Sequence, residues 1–122
     1  MAPRNKFHAK KIYECATCRT QPLRPTECCG ERVAKFDSKG EHMRWCDLRL
    51  MEKAGEIRAL ERQVPLEFKI DGKRMFRYIA DFCYFQGGER IYEDFKGYDT
   101  PLSKLKRKII EAHYHVKILI TK

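Results

Sequence analysis

Apolar and aromatic residues fill most positions between Met75 and Phe85. In an extended chain Phe76, Tyr78, Ala80, Phe82 and Tyr84 fall on one face, and Ile79, Asp81, Cys83 and Phe85 on the other. With both faces largely apolar, this stretch predicts a central strand. Gly87-Gly88 follows at the length of a two-residue hairpin loop, and the chain from Glu89 returns as a second strand. The loop fixes the register: Gln86 faces Glu89, Phe85 faces Arg90 and, by the same count, Asp81 faces Asp94. Upstream, Val64 to Ile70 reads as a strand whose Pro65 suits a sheet edge, and Asp71-Gly72 is its hairpin turn.

Helical spacing appears on either side of these strands. Asp37 or Ser38 caps a first helix, with Glu41 close behind and Gly55 at its end. Met43, Cys46, Leu50 and Ala54 make one apolar stripe, while Trp45 and Leu48 lie on another side with Glu41 above them. Thr100-Pro101 opens a second helix, and Leu102, Leu105 and Ile109 supply its apolar stripe. Val116 to Ile120 is a closing strand, entered through His113 and His115. The order is helix, three strands, helix, strand.

A chain of 122 residues with 43% hydrophobic residues has enough for one core, which excludes disorder throughout. No apolar run reaches a membrane span, and the basic start lacks the apolar stretch of a signal peptide, so the expectation is a soluble, cytoplasmic protein. The net charge of +9 is unevenly placed: residues 1–36 and 102–122 are strongly basic, and the stretch between them is near neutral. Two basic ends suit a polyanionic partner, the alternative being a solvated surface kept for solubility. The first dozen residues read as a basic arm. There is no repeat, no Walker-type phosphate loop and no nucleophilic Ser–His–Asp set.

The cysteines divide into a cluster and two singletons. Cys46 and Cys83 stand in apolar contexts and read as small buried hydrophobes. Cys15, Cys18, Cys28 and Cys29 share one short segment, and its Cys-x-x-Cys lets two thiolates converge on a tetrahedral Zn²⁺. In a reducing compartment such a cluster favours one structural zinc over disulfides. Adjacent Cys28 and Cys29 must point differently to share one ion, which keeps His8 or another residue open as the fourth ligand. The domain reading is therefore 1–35 for a basic arm with a zinc module and 36–122 for the core.

Two carboxylates facing each other in a central hairpin are destabilising unless something compensates. A divalent cation between Asp81 and Asp94 would do so, and oxygen ligands suit Mg²⁺ or Mn²⁺. Lys96 lies on the face of Asp94, where it offsets negative charge and can meet a phosphate or a water. The bland alternative is an Asp–Lys ion pair at a strand end.

Glu41 in a first helix, Asp81 in a strand and Asp94-Phe95-Lys96 in the next strand resemble the PD-(D/E)xK, or restriction-endonuclease-like, nuclease superfamily. The wording FDSKGE, GEIRALERQVPLEF, YIADFCYF and EDFKGYDTPLSKLKRK is similar to small phage-encoded members of it that resemble Holliday-junction resolvases, over residues 34–122. Ala precedes the strand Asp where the pattern has Pro, and Asp stands where Glu is common; the superfamily tolerates both. The resemblance implies an α/β (α+β) core with a central mixed sheet flanked by helices. It implies a Mg²⁺-dependent DNA endonuclease with one or two ions held by Glu41, Asp81, Asp94 and the Phe95 carbonyl. Lys96 would be the catalytic ammonium, and Gln63 would lie near the active site.

Arg44 either meets phosphate or pairs with Asp47 or Glu41. Lys104, Lys106, Arg107 and Lys108 either contact DNA or form a solvated helix face. Branched DNA as substrate and a homodimer to cut two symmetric strands follow by analogy. The competing readings are a non-catalytic zinc-containing adaptor on the same fold and a nuclease for RNA or single strands.

Overall fold

The computed structural model describes residues 11–15, 33–96 and 98–122. In chain order the elements are β1 (Ile12–Cys15), β2 (Val33–Phe36), α1 (Lys39–Lys53), β3 (Arg58–Ile70), β4 (Lys73–Gln86), β5 (Glu89–Phe95), α2 (Pro101–Tyr114) and β6 (Ile118–Thr121). They fall into two compact units, Met1–Cys46 and Asp47–Lys122, which divide within α1. β2 spans the boundary expected between residues 35 and 36.

In the first unit β1 and β2 pair antiparallel, Ile12 opposite Phe36 and Cys15 opposite Val33. This ribbon was not anticipated, because each strand is only four residues long and carries no hairpin signal of its own. The expected basic arm up to residue 10, Cys18, Cys28, Cys29 and His8 lie outside the described residues, and its last residue, Ile12, opens β1. Helix α1 starts as the sequence asks: the Ser38 hydroxyl accepts the Glu41 N–H at 3.1 Å, and the Glu41 carboxylate accepts the Asp37 N–H at 3.4 Å. That reciprocal pair satisfies two donors that a helix N-terminus would otherwise leave unmet. Its other end closes on Gly55, whose φ of 80° lets Gly55 N–H reach Glu52 O and Glu56 N–H reach Met51 O.

The two apolar sides expected on α1 are buried unequally. Met43 and Leu50 are exposed, whereas Glu41 and Leu48, from the side bearing the carboxylate, are buried.

The second unit is built on a four-stranded mixed sheet in the order β3-β4-β5-β6, antiparallel except for the parallel β5–β6 pair. Edge strand β3 accommodates Pro65, which has no N–H to give, opposite Ile79. Asp71 and Gly72 turn β3 into β4, both at positive φ (49° and 78°). Leu66, Tyr78, Ala80, Cys83, Tyr92, Ile110 and Ile118 form the core, with α2 packed across β3 and β4. Full burial of a residue such as Ile110 is worth about 1.5–3 kcal/mol.

Two expectations are corrected here. Of the expected stripe of α2, Leu102 and Leu105 are exposed and Ile109 is half-buried, and the helix instead buries Ile110 beside half-buried Lys106 and Arg107. Lys106 reaches over the Phe76 ring, where its stem can cover apolar surface. In addition α2 runs to Tyr114, so His113 belongs to its last turn and His115, at φ 56°, is its left-handed cap rather than a strand entry. Glu111 locks the exit: its carboxylate accepts the Ile118 N–H at 2.9 Å.

Candidate functional site

The β4–β5 hairpin turns on Gly87 and Gly88, at φ 59° and 83°, and pairs Gln86 with Glu89 and Phe85 with Arg90 through to Phe82 with Glu93. The next step brings Asp81 to Asp94, and there side chains take over from the ladder. Asp94 Oδ1 accepts the Asp81 N–H at 2.9 Å, and Asp81 Oδ2 accepts the Phe95 N–H at 2.9 Å. Strict alternation along β4 fails at the same point: Tyr78 and Ala80 share one core cluster with Cys83 and Tyr92, whereas Phe82 and Tyr84, also buried, lie outside that cluster. On the other face Tyr84 donates to buried Glu93 at 2.8 Å.

This irregularity lets Tyr78 reach the acid pair. Its hydroxyl donates to Asp94 Oδ2, while Lys96 Nζ lies 3.8 Å from the same oxygen and 6.0 Å from the Tyr78 ring centroid. Asp94 is fully buried, and Asp81 is half-exposed. Burial pushes the Asp94 carboxyl above its ordinary value, against the pull of the Asp81 amide and the charges of Lys96 and Arg107; Asp99 adds to the push. Gln63, in β3 at a φ of 52°, brings its amide nitrogen to 3.5 Å from Asp81 Oδ1. Asp81, Asp94, Lys96 and Gln63 therefore come together, and the main chain of Phe95 is among them.

The other candidates sit as follows. Glu41 belongs to the first unit, where it completes the cap of α1. Arg44 is half-buried on α1. Arg107 grips Asp99 through two bonds of 3.1 and 2.5 Å, which holds the Asp99 carboxyl below its ordinary value and raises the guanidinium. Lys106 extends over the Phe76 ring at 5.7 Å, and Lys104 and Lys108 are exposed. Cys15 ends β1; the remaining cluster cysteines lie outside the described residues.

One group escaped the reading of the sequence. Glu14 of β1 meets His42 and Cys46 of α1, with their ligand atoms all within 4.8 Å of one another. The visible signal was the i, i+4 spacing of His42 and Cys46 on a helix; Glu14 was invisible without the β1–β2 ribbon. Cys46, read as a small hydrophobe, is half-buried among polar partners, whereas Cys83 is the core residue it was read to be. The trio is compatible with a metal ion.

A family model described as "Protein of unknown function (DUF1064)" matches residues 31–121. The chain belongs to the DUF1064 family. The match spans β2 through β6, so the Asp81–Asp94–Lys96 cluster lies wholly inside the DUF1064 region. No curated protein and no solved structure matches this DUF1064 chain. Among the described residues no helix is long and apolar enough to cross a membrane.

Proposed function

We propose that this DUF1064 protein is a metal-dependent DNA endonuclease with a restriction-endonuclease-like core. The observation that carries the reading is the crossed pair of Asp81 and Asp94 beside the Lys96 ammonium. Burying a carboxylate such as Asp94 costs several kcal/mol, and one nearby ammonium at 3.8 Å repays it only in part. The donor set fits a hard divalent cation: Asp81 and Asp94 offer carboxylate oxygens side by side, and the exchanged N–H bonds at 2.9 Å fix both carboxylates in place. Asp81, Asp94 and the Phe95 carbonyl would hold Mg²⁺ or Mn²⁺, with Glu41 as the third carboxylate that the resemblance supplies. Such an ion polarises a phosphodiester and lowers the pKa of water.

The chain's own groups then have separate tasks. The Tyr78 hydroxyl and the Asp81 amide orient Asp94, while the Gln63 amide steers Asp81. Lys96 carries the positive charge that positions a water and meets the negative charge growing on the phosphate. The basic ends of the chain attract the polyanion. Structured, branched DNA in phage replication, recombination or packaging is the substrate class suggested by the resemblance. So are a homodimer, a cytoplasmic setting and a structural Zn²⁺ on Cys15, Cys18, Cys28 and Cys29.

A second reading has an observation of its own. Both aspartates serve as acceptors for main-chain N–H groups, and Glu41 serves as a helix cap, roles that a non-catalytic DNA-binding protein would also keep. Incubating purified protein with four-way junction, linear duplex, single-stranded DNA and RNA, with Mg²⁺ or EDTA, separates the two. Mg²⁺-dependent cleavage that Asp81→Asn and Lys96→Met abolish is the result expected. Absence of cleavage on all four substrates, or cleavage undiminished in Asp81→Asn, would defeat the nuclease reading.

A further inference from the structure

We infer that Glu14, His42 and Cys46 form a second metal site, for a borderline transition ion of the Zn²⁺ class, whose three donors are neither the Asp81–Asp94 carboxylates nor the thiols of Cys15, Cys18, Cys28 and Cys29. All three residues belong to the first compact unit. They offer one carboxylate, one imidazole and one thiol, a mixture that selects Zn²⁺ or a similar ion over Mg²⁺. Zn–N bonds of about 2.1 Å and Zn–S bonds of about 2.3 Å in a tetrahedron set N and S about 3.6 Å apart. His42 Nε2 and Cys46 Sγ are 3.7 Å apart.

Glu14 Oε2 lies 2.8 Å from the same His42 nitrogen, closer than two ligands of one ion. That contact is a hydrogen bond, and the entering ion would displace its proton and open the pair by about half an ångström.

Packing and the backbone of α1 hold the His42 ring in place. Phe36, fully buried in β2, packs edge-on against the His42 ring at 4.9 Å and 73°, which turns Nε2 toward Glu14 and Cys46. The His42 N–H is fixed to Ser38 O in the first turn of α1, and β1 is held by its ladder to β2. Glu14 and His42 are themselves only 2% and 6% exposed. Among the described residues these three donors fill three of the four tetrahedral positions. The ion would staple β1 to α1 across 28 residues of sequence, directly beside Glu41 in the helix. The competing account is a buried Glu–His pair with Cys46 as a bystander.

Titrating metal-free full-length protein with Co²⁺ decides between them, because thiolate-to-Co²⁺ charge transfer and tetrahedral visible bands report a Cys-bearing site. Cys46→Ser in the otherwise natural chain should lower bound Co²⁺, and bound Zn²⁺ by metal analysis, by one equivalent. A chain carrying Cys15→Ser, Cys18→Ser, Cys28→Ser and Cys29→Ser together should keep one equivalent with a single-thiolate band. His42→Gln, whose amide can still donate to Glu14, is the second variant and should lose the same equivalent. Unchanged stoichiometry in both Cys46→Ser and His42→Gln, or loss of all metal from the four-serine chain, would overturn the assignment. None of these readouts depends on DNA cleavage, so the site and the nuclease reading stand or fall separately.

Discussion

Asp94 accepts the backbone N–H of Asp81, and Asp81 in turn accepts the N–H of the residue after Asp94, both at 2.9 Å. The two acids thus substitute for the next rung of the β4–β5 ladder, and each is aimed by the other's strand. They are nonetheless unequal: Asp94 is fully buried with the Tyr78 hydroxyl and Lys96 on its outer oxygen, whereas Asp81 is half-exposed.

Substitutions at Asp94 should therefore separate fold from chemistry. In Asp94→Asn the amide oxygen can keep the Asp81 N–H while the NH₂ donates to Tyr78, whose hydroxyl can also accept. Its stability should stay within about 1 kcal/mol of wild type. Asp94→Ala leaves two buried donors without an acceptor and should cost about 2–4 kcal/mol in urea denaturation. Both variants should lose cleavage. A denaturation series in which Asn destabilises as much as Ala would show that the charge itself, rather than its acceptor oxygens, holds the hairpin.

Stability should also fall with rising pH over a window set by Asp94. Burial pushes its carboxyl above the ordinary value of 3.8, so the unfolded chain releases this proton first as pH rises. Between the unfolded and folded pKa values the folded state holds more protons, and stability declines until the folded group has ionised. Asp94→Asn should gain on wild type as pH rises from about 4 through that window. Asp99 acts oppositely, since Arg107 depresses it: its contribution is present above the ordinary carboxylate value and lost as pH falls through the depressed one. Melting temperatures of wild type, Asp94→Asn and Asp99→Asn across acid to neutral pH test both signs.

The bidentate Arg107–Asp99 pair, with side chains only 13% and 19% exposed, predicts a division of labour on α2. Arg107→Ala should lower stability by about 1–2 kcal/mol, more than an exposed ion pair would give. Lys104→Ala and Lys108→Ala should leave stability almost untouched, because both side chains are exposed. If the exposed lysines meet phosphates, each truncation should reduce the salt slope of DNA binding by about one, while Arg107→Ala leaves the slope unchanged. Fluorescence anisotropy at several salt concentrations reads the slope.

Whatever follows from a two-residue turn was legible in the chain. Asp71-Gly72 and Gly87-Gly88 fix both hairpins, and through the second they bring Asp81 to Asp94. Ser38, Glu41 and Gly55 likewise announce the ends of α1 through hydrogen bonds that only local residues can make. The rotation of each helix about its own axis was not legible. Leucines at 102 and 105 define a face, yet the face that packs carries Lys106, Arg107 and Ile110, since an aliphatic stem on a charged residue serves the core as well as a leucine does. The Glu14–His42–Cys46 group was hidden for another reason. Its carboxylate comes from a four-residue strand whose partner lies beyond the cysteine segment, so neither periodicity nor spacing links the two.

The Gly87-Gly88 turn gives the last prediction, because it sets the register on which the acid pair depends. Both glycines hold positive φ, 59° and 83°, as a type I′ turn requires. A Cβ built on either would meet nothing within 4 Å, so the cost of replacing them is conformational and not steric. Gly88→Ala should therefore destabilise by about 1 kcal/mol, the usual penalty for a left-handed alanine. Gly87→Asn should be neutral or gain a few tenths of a kcal/mol, since Asn-Gly favours the same turn and restricts the unfolded chain. Neither substitution moves a strand, so both should leave cleavage unchanged well below the melting temperature. Inserting one residue between Gly87 and Gly88 is different. A one-residue slip turns the side chains of β5 to the opposite face and separates Asp94 from Asp81. That insertion should abolish cleavage even where circular dichroism shows the sheet intact, and full activity in the inserted protein would mean that the facing acids are not the site.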